Sequence, residues 1–325
     1  MSVPASKRTE SGFQEFDIVE RGKPRHIQSV KMAEKCVQSS ISNNCLIPIL
    51  EKSLIFDNGA SLKGKGTDFA ISRFVEQLRW HYNRYGLEGG IYFFDFSAYF
   101  SHINHKALKQ NVRSKVRNAH IMEIYDMLID AFRATGINSD IAEGIGLGSQ
   151  VSQISAVFFP NQIDHWVKDV AGIHGYGRYM DDGYIIHHNL DELRMVAEKF
   201  EGLCVQRGII LNLKKCRIIK LSQNFRFLKI RFFITDSGKI VRRVDRTSTT
   251  KERKKLKKLR QLMDDNQKSF KEINLEFHSW LCGITRGQSY YIMFNMIEYF
   301  NNLFADCGGY EMPSKKPKKT AKEEI

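Results

Sequence analysis

Two adjacent carboxylates, Asp181 and Asp182, lie in the middle of an aromatic and β-branched segment that spans residues 176–186. The apolar residues on both sides favour strands, and the sequence Met-Asp-Asp-Gly between them is typical of a tight hairpin turn. Such a hairpin would hold carboxylates at an exposed tip on a rigid sheet, which is a common way to build a divalent-metal site. Asp and Gly also form ordinary turns, so an acidic turn without a ligand is the alternative.

A second candidate strand ends in a carboxylate. The apolar run that follows Gly89 and Gly90 predicts a buried strand that carries Asp95. An isolated buried carboxylate is costly, so Asp95 needs a basic partner or a metal ion. If this strand lies beside the hairpin, Asp95 joins the two hairpin aspartates, and two Mg²⁺ ions would relieve their repulsion. The alternative is that Asp95 caps a helix that follows it.

The composition narrows the class of protein. Lys and Arg outnumber Asp and Glu by 50 to 36, and the formal net charge of +14 predicts affinity for a polyanion, above all nucleic acid. A hydrophobic content of 42% excludes a mostly disordered chain. No apolar stretch is long enough for a bilayer, no signal-peptide core is evident, and the scattered cysteines argue against a zinc site or a disulfide framework. We therefore expect a cytoplasmic protein that handles nucleic acid and has no membrane partner.

The two acidic segments resemble the A and C motifs of reverse transcriptases. Further segments resemble other motifs of that family in the expected order. They are the first fingers motif of small bacterial reverse transcriptases (residues 22–27), the B motif (144–153), the D motif (211–216) and the E motif or primer grip (227–230). The resemblance implies an α+β fold of the right-hand polymerase type, with fingers, an antiparallel-sheet palm and a helical thumb.

The expected domain boundaries follow from the motifs. They are helical fingers at residues 1–90, a palm at 91–235, a helical thumb at 236–308 and a basic disordered tail at 309–325. In the thumb, residues 251–263 combine helical spacing of apolar residues with a dense basic face, which suits contact with a duplex backbone. A solvated helix without a ligand is the alternative. The aromatic residues of 273–304 are expected to form core.

The resemblance also implies roles for individual residues. Asp95, Asp181 and Asp182, together with the backbone carbonyl of Phe96, would hold two Mg²⁺ ions. Lys215 matches the D-motif lysine and would donate a proton to the leaving pyrophosphate. These three aspartates and Lys215 are the candidate catalytic residues, although an exposed lysine is often only solvated.

Binding of the deoxynucleoside triphosphate (dNTP) is expected to involve the sugar gate, fingers cations and the Gly-rich B motif. Phe100 lies where the family places its sugar gate, and a large ring there would exclude a 2′-hydroxyl. A plain core aromatic is the alternative for Phe100. The other candidates are Lys23, Arg25, Lys65, Gly148, Ser149 and Gln150. Solvated lysines and a merely flexible Gly-rich loop are the alternatives for this set.

The B motif suggests a subfamily. Leu147 stands before Gly148 where most reverse transcriptases have Gln, and Ser-Gln follows at residues 152–153. This pattern resembles the enzymes of diversity-generating retroelements, in which an aliphatic residue here accompanies low fidelity opposite template adenine. Gly146 and Val157 depart from the usual Pro and a frequent Asn. Phage-defence and abortive-infection reverse transcriptases also vary at this motif.

The leading function is an RNA-directed DNA polymerase that extends the 3′-hydroxyl of a DNA or RNA primer with dNTPs on an RNA template. An error-prone enzyme of a diversity-generating retroelement would also have a small accessory protein as partner. One alternative is a defence reverse transcriptase that makes non-templated or self-primed DNA. Another is a catalytically lapsed RNA-binding scaffold, against which the intact aspartates argue.

Overall fold

The computed structural model describes residues 7–8, 14–20, 23–132 and 142–312 of the chain. The chain divides into two compact units, Met1–Gln223 and Asn224–Ile325. The division falls inside the predicted palm, so the three-lobed organisation stays a prediction. Residues 313–325 of the predicted basic tail lie outside the described residues. Within the described part, no helix combines the length and the apolar character needed to cross a membrane.

The first unit opens with an antiparallel sheet of β1 (Lys7–Arg8), β2 (Gln14–Glu20) and β3 (Lys23–Ser29), in that order. These strands show that the expectation of wholly helical fingers was wrong. One polar residue separates Phe16 from Ile18, and an alternation with a period of two favours a strand over a helix. Phe16 lies opposite Ile27 on the neighbouring strand.

The rest of the described first unit is mainly helical around one further sheet. A π-helical turn at Ser42–Leu46 joins the first two helices into one continuous element. The helices are α1 (Met32–Ile41), α2 (Ile47–Leu50), α3 (Thr67–Tyr85), α4 (His105–Arg113), α5 (Ala119–Asp130), α6 (Gln150–Phe158), α7 (Asn161–His165) and α8 (Leu190–Gln206). The strands are β4 (Gly90–Asp95), β5 (Gly175–Tyr179), β6 (Asp182–His187) and β7 (Arg217–Lys220).

The central sheet is antiparallel, with strands in the order β5-β6-β4-β7. Every residue of β4 is buried, which confirms the predicted buried strand. Adjacent residues of a strand point to opposite faces, and the packing shows this directly. The ring of Phe93 lies 6.2 Å from that of Phe74 on α3, whereas the ring of Phe94 lies 4.5 Å from that of Phe200 on α8. Helices therefore cover both faces, which explains why β4 is apolar up to Asp95 at its end.

Gly183 fixes the register of the two central strands. It lies opposite Phe94 in the β4–β6 ladder, and a Cβ atom at Gly183 would come within 2.2 Å of the Phe94 ring. Only glycine leaves room for the ring in this position. The same register places Asp95 opposite Asp182, one residue further along.

The second unit contains an antiparallel sheet followed by helices. Its strands are β8 (Phe225–Phe227), β9 (Ile230–Ile234) and β10 (Ile240–Val244), and its helices are α9 (Arg246–Asp264), α10 (Phe270–Ile284) and α11 (Tyr290–Leu303). The β8–β9 turn, Leu228–Lys229, has φ values of 45° and 68°, as in the two-residue turns that suit the twist of a hairpin. Strand β10 thus precedes the helices in the region expected to be a helical thumb.

The predicted basic helix is confirmed as part of α9. Asp245 caps its first turn, and a Ser269–Glu272 capping box begins the next helix. The aromatic residues that follow are only partly core. Phe277 and Phe300 stack in the buried cluster with their ring centroids 4.4 Å apart. Tyr290, Tyr291 and Phe294, in contrast, are well exposed, so the expectation of a wholly buried stripe was wrong for the start of α11.

Candidate active site

The central sheet brings the three candidate aspartates to one end. Asp95 closes β4 and lies opposite Asp182, the first residue of β6. The backbone N–H of Phe96 donates to the carbonyl of Asp181 over 3.0 Å, which ties the residue after Asp95 to the hairpin turn. The prediction that the Asp95 strand lies beside the hairpin is therefore confirmed.

The turn between β5 and β6 consists of Met180 and Asp181. Met180 has a φ of 57°, in the left-handed region that costs a non-glycine residue about 1 kcal/mol or more. The predicted tight hairpin turn is confirmed, with Asp181 in the turn and Asp182 already on the strand. One carboxylate therefore belongs to the turn and the other to the strand that follows it.

Asp95 has a basic partner in this structure. The Lys215 ammonium lies 2.5 Å from its Oδ2 atom, and the Asn212 amide donates to its Oδ1 atom over 3.2 Å. The backbone N–H of Asn212 also donates to the Asp95 carbonyl over 2.8 Å. The helical turn that follows, Tyr99–Ser101, has no side-chain cap, so the alternative in which Asp95 caps it is wrong.

The site carries more negative charge than Lys215 neutralises. Burial, the charge of Asp181, and the hydrogen bond and charge of Asp95 raise the pKa of Asp182 to about 7, although Lys215 opposes the rise. Burial lowers the pKa of Lys215, but its hydrogen bond to Asp95 and the three acidic charges together raise it. Near neutral pH, Asp182 is therefore partly protonated, whereas Lys215 stays cationic.

The donor set suits a hard cation. Carboxylate oxygens of Asp95, Asp181 and Asp182 and the carbonyl of Phe96 are the type of ligand that Mg²⁺ prefers. A cation among them would also offset the burial and the repulsion that together raise the pKa of Asp182. In the described part of the chain, no three acidic, His or Cys side chains already enclose a metal position. The oxygen donors and the excess negative charge fit Mg²⁺. In this structure the Lys215 ammonium is the cation that contacts Asp95.

The predicted B-motif residues divide into exposed and structural ones. Gly148 is exposed, has a φ of 103° and faces open space where a Cβ would lie, and Gln150 beside it is also exposed. Ser149 is buried. Its hydroxyl caps α6 through the N–H of Ser152 and donates to the Gln38 side chain over 2.8 Å. The hydroxyl of Ser149 therefore has a structural role, since it anchors the B-motif loop to the start of α6 and to Gln38.

Phe100 links the A and B motifs. Its carbonyl accepts a hydrogen bond from the N–H of Ile145 over 2.8 Å, and its ring meets that of Tyr99 edge to face. The Phe100 side chain is half-buried against the core. This position is compatible with a sugar gate and with a plain packing residue, so the assignment stays a prediction.

The predicted cations of the fingers are only partly visible. The half-buried Lys65 ammonium donates to the carbonyl of Phe56 over 2.9 Å and lies 5.3 Å from the ring centroid of Phe69. Burial lowers the pKa of Lys65 despite nearby acidic residues, so Lys65 is not a freely solvated lysine. Lys23 and Arg25 are on β3, but their side chains lie outside the described residues.

Sequence reasoning missed a buried ion pair beneath the turn. Arg178 and Asp164 are both almost completely buried, with the Nη2 and Oδ2 atoms 2.5 Å apart. The Tyr176 hydroxyl donates to the same carboxylate over 2.5 Å. The only sequence signal was an Arg inside the apolar run before Asp181, and its partner lies on α7.

Comparison with known proteins supports a polymerase fold. A family model described as reverse transcriptase (RNA-dependent DNA polymerase) matches residues 9–232. Among solved structures, the chain is similar to a truncated apo telomerase from Candida tropicalis (TM-score 0.52, 16% identity), covering 73% of this chain and 56% of that one. It is also similar to telomerase from Candida albicans in complex with a fragment of telomeric RNA (TM-score 0.54, 13% identity), covering 90% and 57%.

These similarities concern part of larger proteins. The chain spans a little over half the length of either telomerase chain. At these identities the likeness shows a shared α+β polymerase fold, as predicted. The sequence has no significant match among curated proteins. The family match covers well over half of the chain, from just after β1 to within β9.

Proposed function

The chain belongs to the reverse transcriptase family, and from this premise we propose that it is an RNA-directed DNA polymerase. It extends a primer 3′-hydroxyl with dNTPs on an RNA template. One observation carries the proposal: the β4–β6 register sets Asp95 beside Asp182 with Asp181 in the adjoining turn. A protein with this fold but no catalytic activity would have no need to hold three carboxylates together, an arrangement that raises the pKa of Asp182.

We assign two Mg²⁺ ions to Asp95, Asp181, Asp182 and the carbonyl of Phe96. When bound, the ions would lower the pKa of the primer hydroxyl and neutralise the triphosphate. The Oδ2 atom of Asp95 accepts from the Lys215 ammonium in this structure, so a cation held at that oxygen would displace Lys215. Such an exchange would replace one cation by another, so the buried carboxylate would stay compensated.

Lys215 is then free to act on the leaving group. The acidic surroundings raise its pKa, which keeps the ammonium protonated at neutral pH. A protonated amine beside the departing pyrophosphate supplies the proton that the product requires. Release from Asp95 would therefore make this acid available when the cation site is filled.

We further propose where the dNTP lies. Gly148 and Gln150 offer an exposed backbone and an amide at the B motif, and Phe100 contacts the sugar. The fingers cations Lys23, Arg25 and Lys65 bind the triphosphate. Lys65 would have to leave the carbonyl of Phe56 for this purpose, whereas Ser149 acts by holding the loop.

Template and primer are proposed to use the second unit. Helix α9 presents exposed cations along one side, and their charge suits a phosphate backbone. These are Lys251, Arg253, Lys254, Lys255, Lys257 and Lys258. The β8–β9 hairpin, with its tight turn at Leu228–Lys229, corresponds to the proposed primer grip.

The finer role that we propose is error-prone synthesis in a diversity-generating retroelement. Leu147 is partly exposed next to the open Gly148, so an aliphatic side chain is available at the loop that approaches the nascent base pair. The expected accessory protein, cytoplasmic location and absence of a membrane partner stay predictions.

The test is primer extension by the purified full chain. We expect extension of a primer annealed to RNA only with a divalent cation and dNTPs, and no extension by Asp181→Asn protein. A matched control is Asp191→Asn, because Asp191 is an exposed aspartate on α8. RNA binding without extension under all cation conditions would support the scaffold alternative and end the polymerase proposal.

A further inference from the structure

The Arg178 guanidinium contacts α6, α7 and the turn formed by Met180 and Asp181. The Nε and Nη2 atoms of Arg178 donate to Asp164 over 2.9 and 2.5 Å. The Nη2 atom also donates to the carbonyl of Val157 on α6 over 2.8 Å. The Nη1 atom donates to the carbonyl of Met180 over 2.9 Å. Arg178 therefore connects α6 and α7 to the residue that precedes Asp181.

The backbone of Arg178 is held as firmly as its side chain. Its N–H donates to the carbonyl of Asp57 over 3.2 Å, and its carbonyl accepts from the N–H of Gly59 over 2.8 Å. The Asp57 carboxylate in turn binds Arg73 on α3 and Lys168. The base of the turn is thus fixed from both sides of the strand.

Stability alone does not account for the buried pair. Removing two charges from water costs several kcal/mol per ion, and apolar residues of similar volume are often as stable or more stable in such a place. The contacts that an apolar pair could not reproduce are the hydrogen bonds to the carbonyls of Val157 and Met180, and only the second of these reaches the turn. Met180 has the unfavourable left-handed conformation. Such a conformation is kept only where surrounding contacts hold the backbone in place.

We propose that Arg178 and Asp164 form a positioning pair that fixes the Met180 carbonyl and so orients the Asp181 carboxylate for its cation. Asp164 holds the guanidinium in one plane, and the guanidinium holds the turn. The inference rests on the proposed function, since it assigns Asp181 a ligand role. Neither residue touches the reacting atoms, so they act only through Asp181.

The test replaces the pair without leaving buried charge. In the triple variant Arg178→Met, Asp164→Leu and Tyr176→Phe, no charged group or orphan hydroxyl remains at the site. We expect a folded protein with a somewhat lower melting temperature, because the carbonyls of Val157 and Met180 lose a hydrogen-bond donor. We expect kcat for primer extension to fall on the order of 100-fold, the scale of an ångström-sized misplacement, with a raised Mg²⁺ requirement and unchanged affinity for primer–template. Tyr176→Phe alone, which keeps the Met180 contact, should show wild-type Mg²⁺ dependence.

Two further measurements make the result unambiguous. Arg178→Lys keeps the charge pair but loses the planar guanidinium fork, so it should show the same loss of cation affinity. It takes the place of the triple variant if that variant does not fold. Direct Mn²⁺ binding, measured by electron paramagnetic resonance, gives a readout that does not require activity. Wild-type Mn²⁺ affinity in the folded triple variant, or in Arg178→Lys, would overturn the positioning role. A wild type that binds Mn²⁺ but never extends a primer would instead contradict the proposed function.

Discussion

The ammonium of Lys215 lies 2.5 Å from a carboxylate oxygen of Asp95, a residue 120 positions earlier in the chain. The most buried aspartate of the site is therefore neutralised by the residue that we propose as the proton donor. In the proposed function, a bound cation and the acid Lys215 would compete for the same carboxylate, and this competition makes both roles testable.

Replacing Lys215 with Ala should lower the rate of extension and increase the stabilisation that Mg²⁺ gives to the folded protein. The rate of single-turnover extension should fall by about 100-fold or more, because general acids contribute 10²–10⁴-fold. The melting temperature without metal should fall, since Asp95 is left buried without a cation, and Mg²⁺ should restore more of it than in the wild type. Lys215→Arg, which keeps the charge, is the control for stability. An unchanged rate in a folded Ala variant would exclude the acid role.

Asp95→Asn and Asp181→Asn should each abolish measurable extension. Loss of one carboxylate ligand should raise the barrier by several kcal/mol, which corresponds to about a thousandfold or more in rate. The measurement is steady-state extension with Mg²⁺, with binding of primer–template measured in parallel. Normal extension by either folded variant would contradict the assigned cation site.

The effect of Mg²⁺ on stability should depend on pH because of Asp182. Its pKa is raised from 3.8 to about 7 in the folded protein, so its stabilising contribution is complete below pH 3.8 and is lost as the pH rises through 7. The metal-free melting temperature should fall from pH 5 to pH 8. Mg²⁺ replaces the proton, so the shift that it produces should be larger at pH 8 than at pH 6. Equal shifts at both values would mean that Asp182 does not face the cation.

Phe100→Ala should admit ribonucleotides if Phe100 is the sugar gate. A smaller side chain leaves room for the 2′-hydroxyl, so the ratio of kcat/KM for dNTPs over ribonucleotides should fall by at least tenfold. The measurement compares both substrates on one RNA template. Unchanged discrimination in a folded variant would show that the half-buried ring only packs against the core.

Leu147→Gln should reduce misincorporation opposite template adenine. A Gln can form a hydrogen bond that Leu cannot, and one such bond is worth about 0.5–1.5 kcal/mol, so we expect a several-fold change in error rate. Deep sequencing of the cDNA from a defined RNA template measures it. Identical, unbiased error spectra for both proteins would remove the retroelement assignment and favour the defence alternative.

The sequence was sufficient where the signal was local. A continuous apolar run after Gly89 and Gly90 predicted β4, and Asp and Gly in a short turn predicted the hairpin of Asp181. The pairing of Asp95 with Lys215 needed three-dimensional information. The sequence showed only that Asp95 required some partner, and the path of the chain through Asn212 brings Lys215 to it.

Other features lay against the usual preferences. Arginine is rarely buried, and Met seldom adopts a positive φ, so neither Arg178 nor Met180 could be predicted from its residue type. Both result from tertiary contacts: the Asp164 carboxylate compensates the buried charge, and the guanidinium fixes the turn. The strands at residues 14–20 and 23–29 were not predicted, because helical fingers were expected over the whole of residues 1–90.

The close contact of Phe94 with Gly183 makes correct folding and catalytic competence one event. A slip of β4 by a single residue would reverse the face of every side chain on it. Phe94 would lose the gap left by glycine, and Asp95 would lose its place opposite Asp182. A misaligned molecule would therefore be unstable and inert at once, so no long-lived population of folded but mispaired enzyme should accumulate.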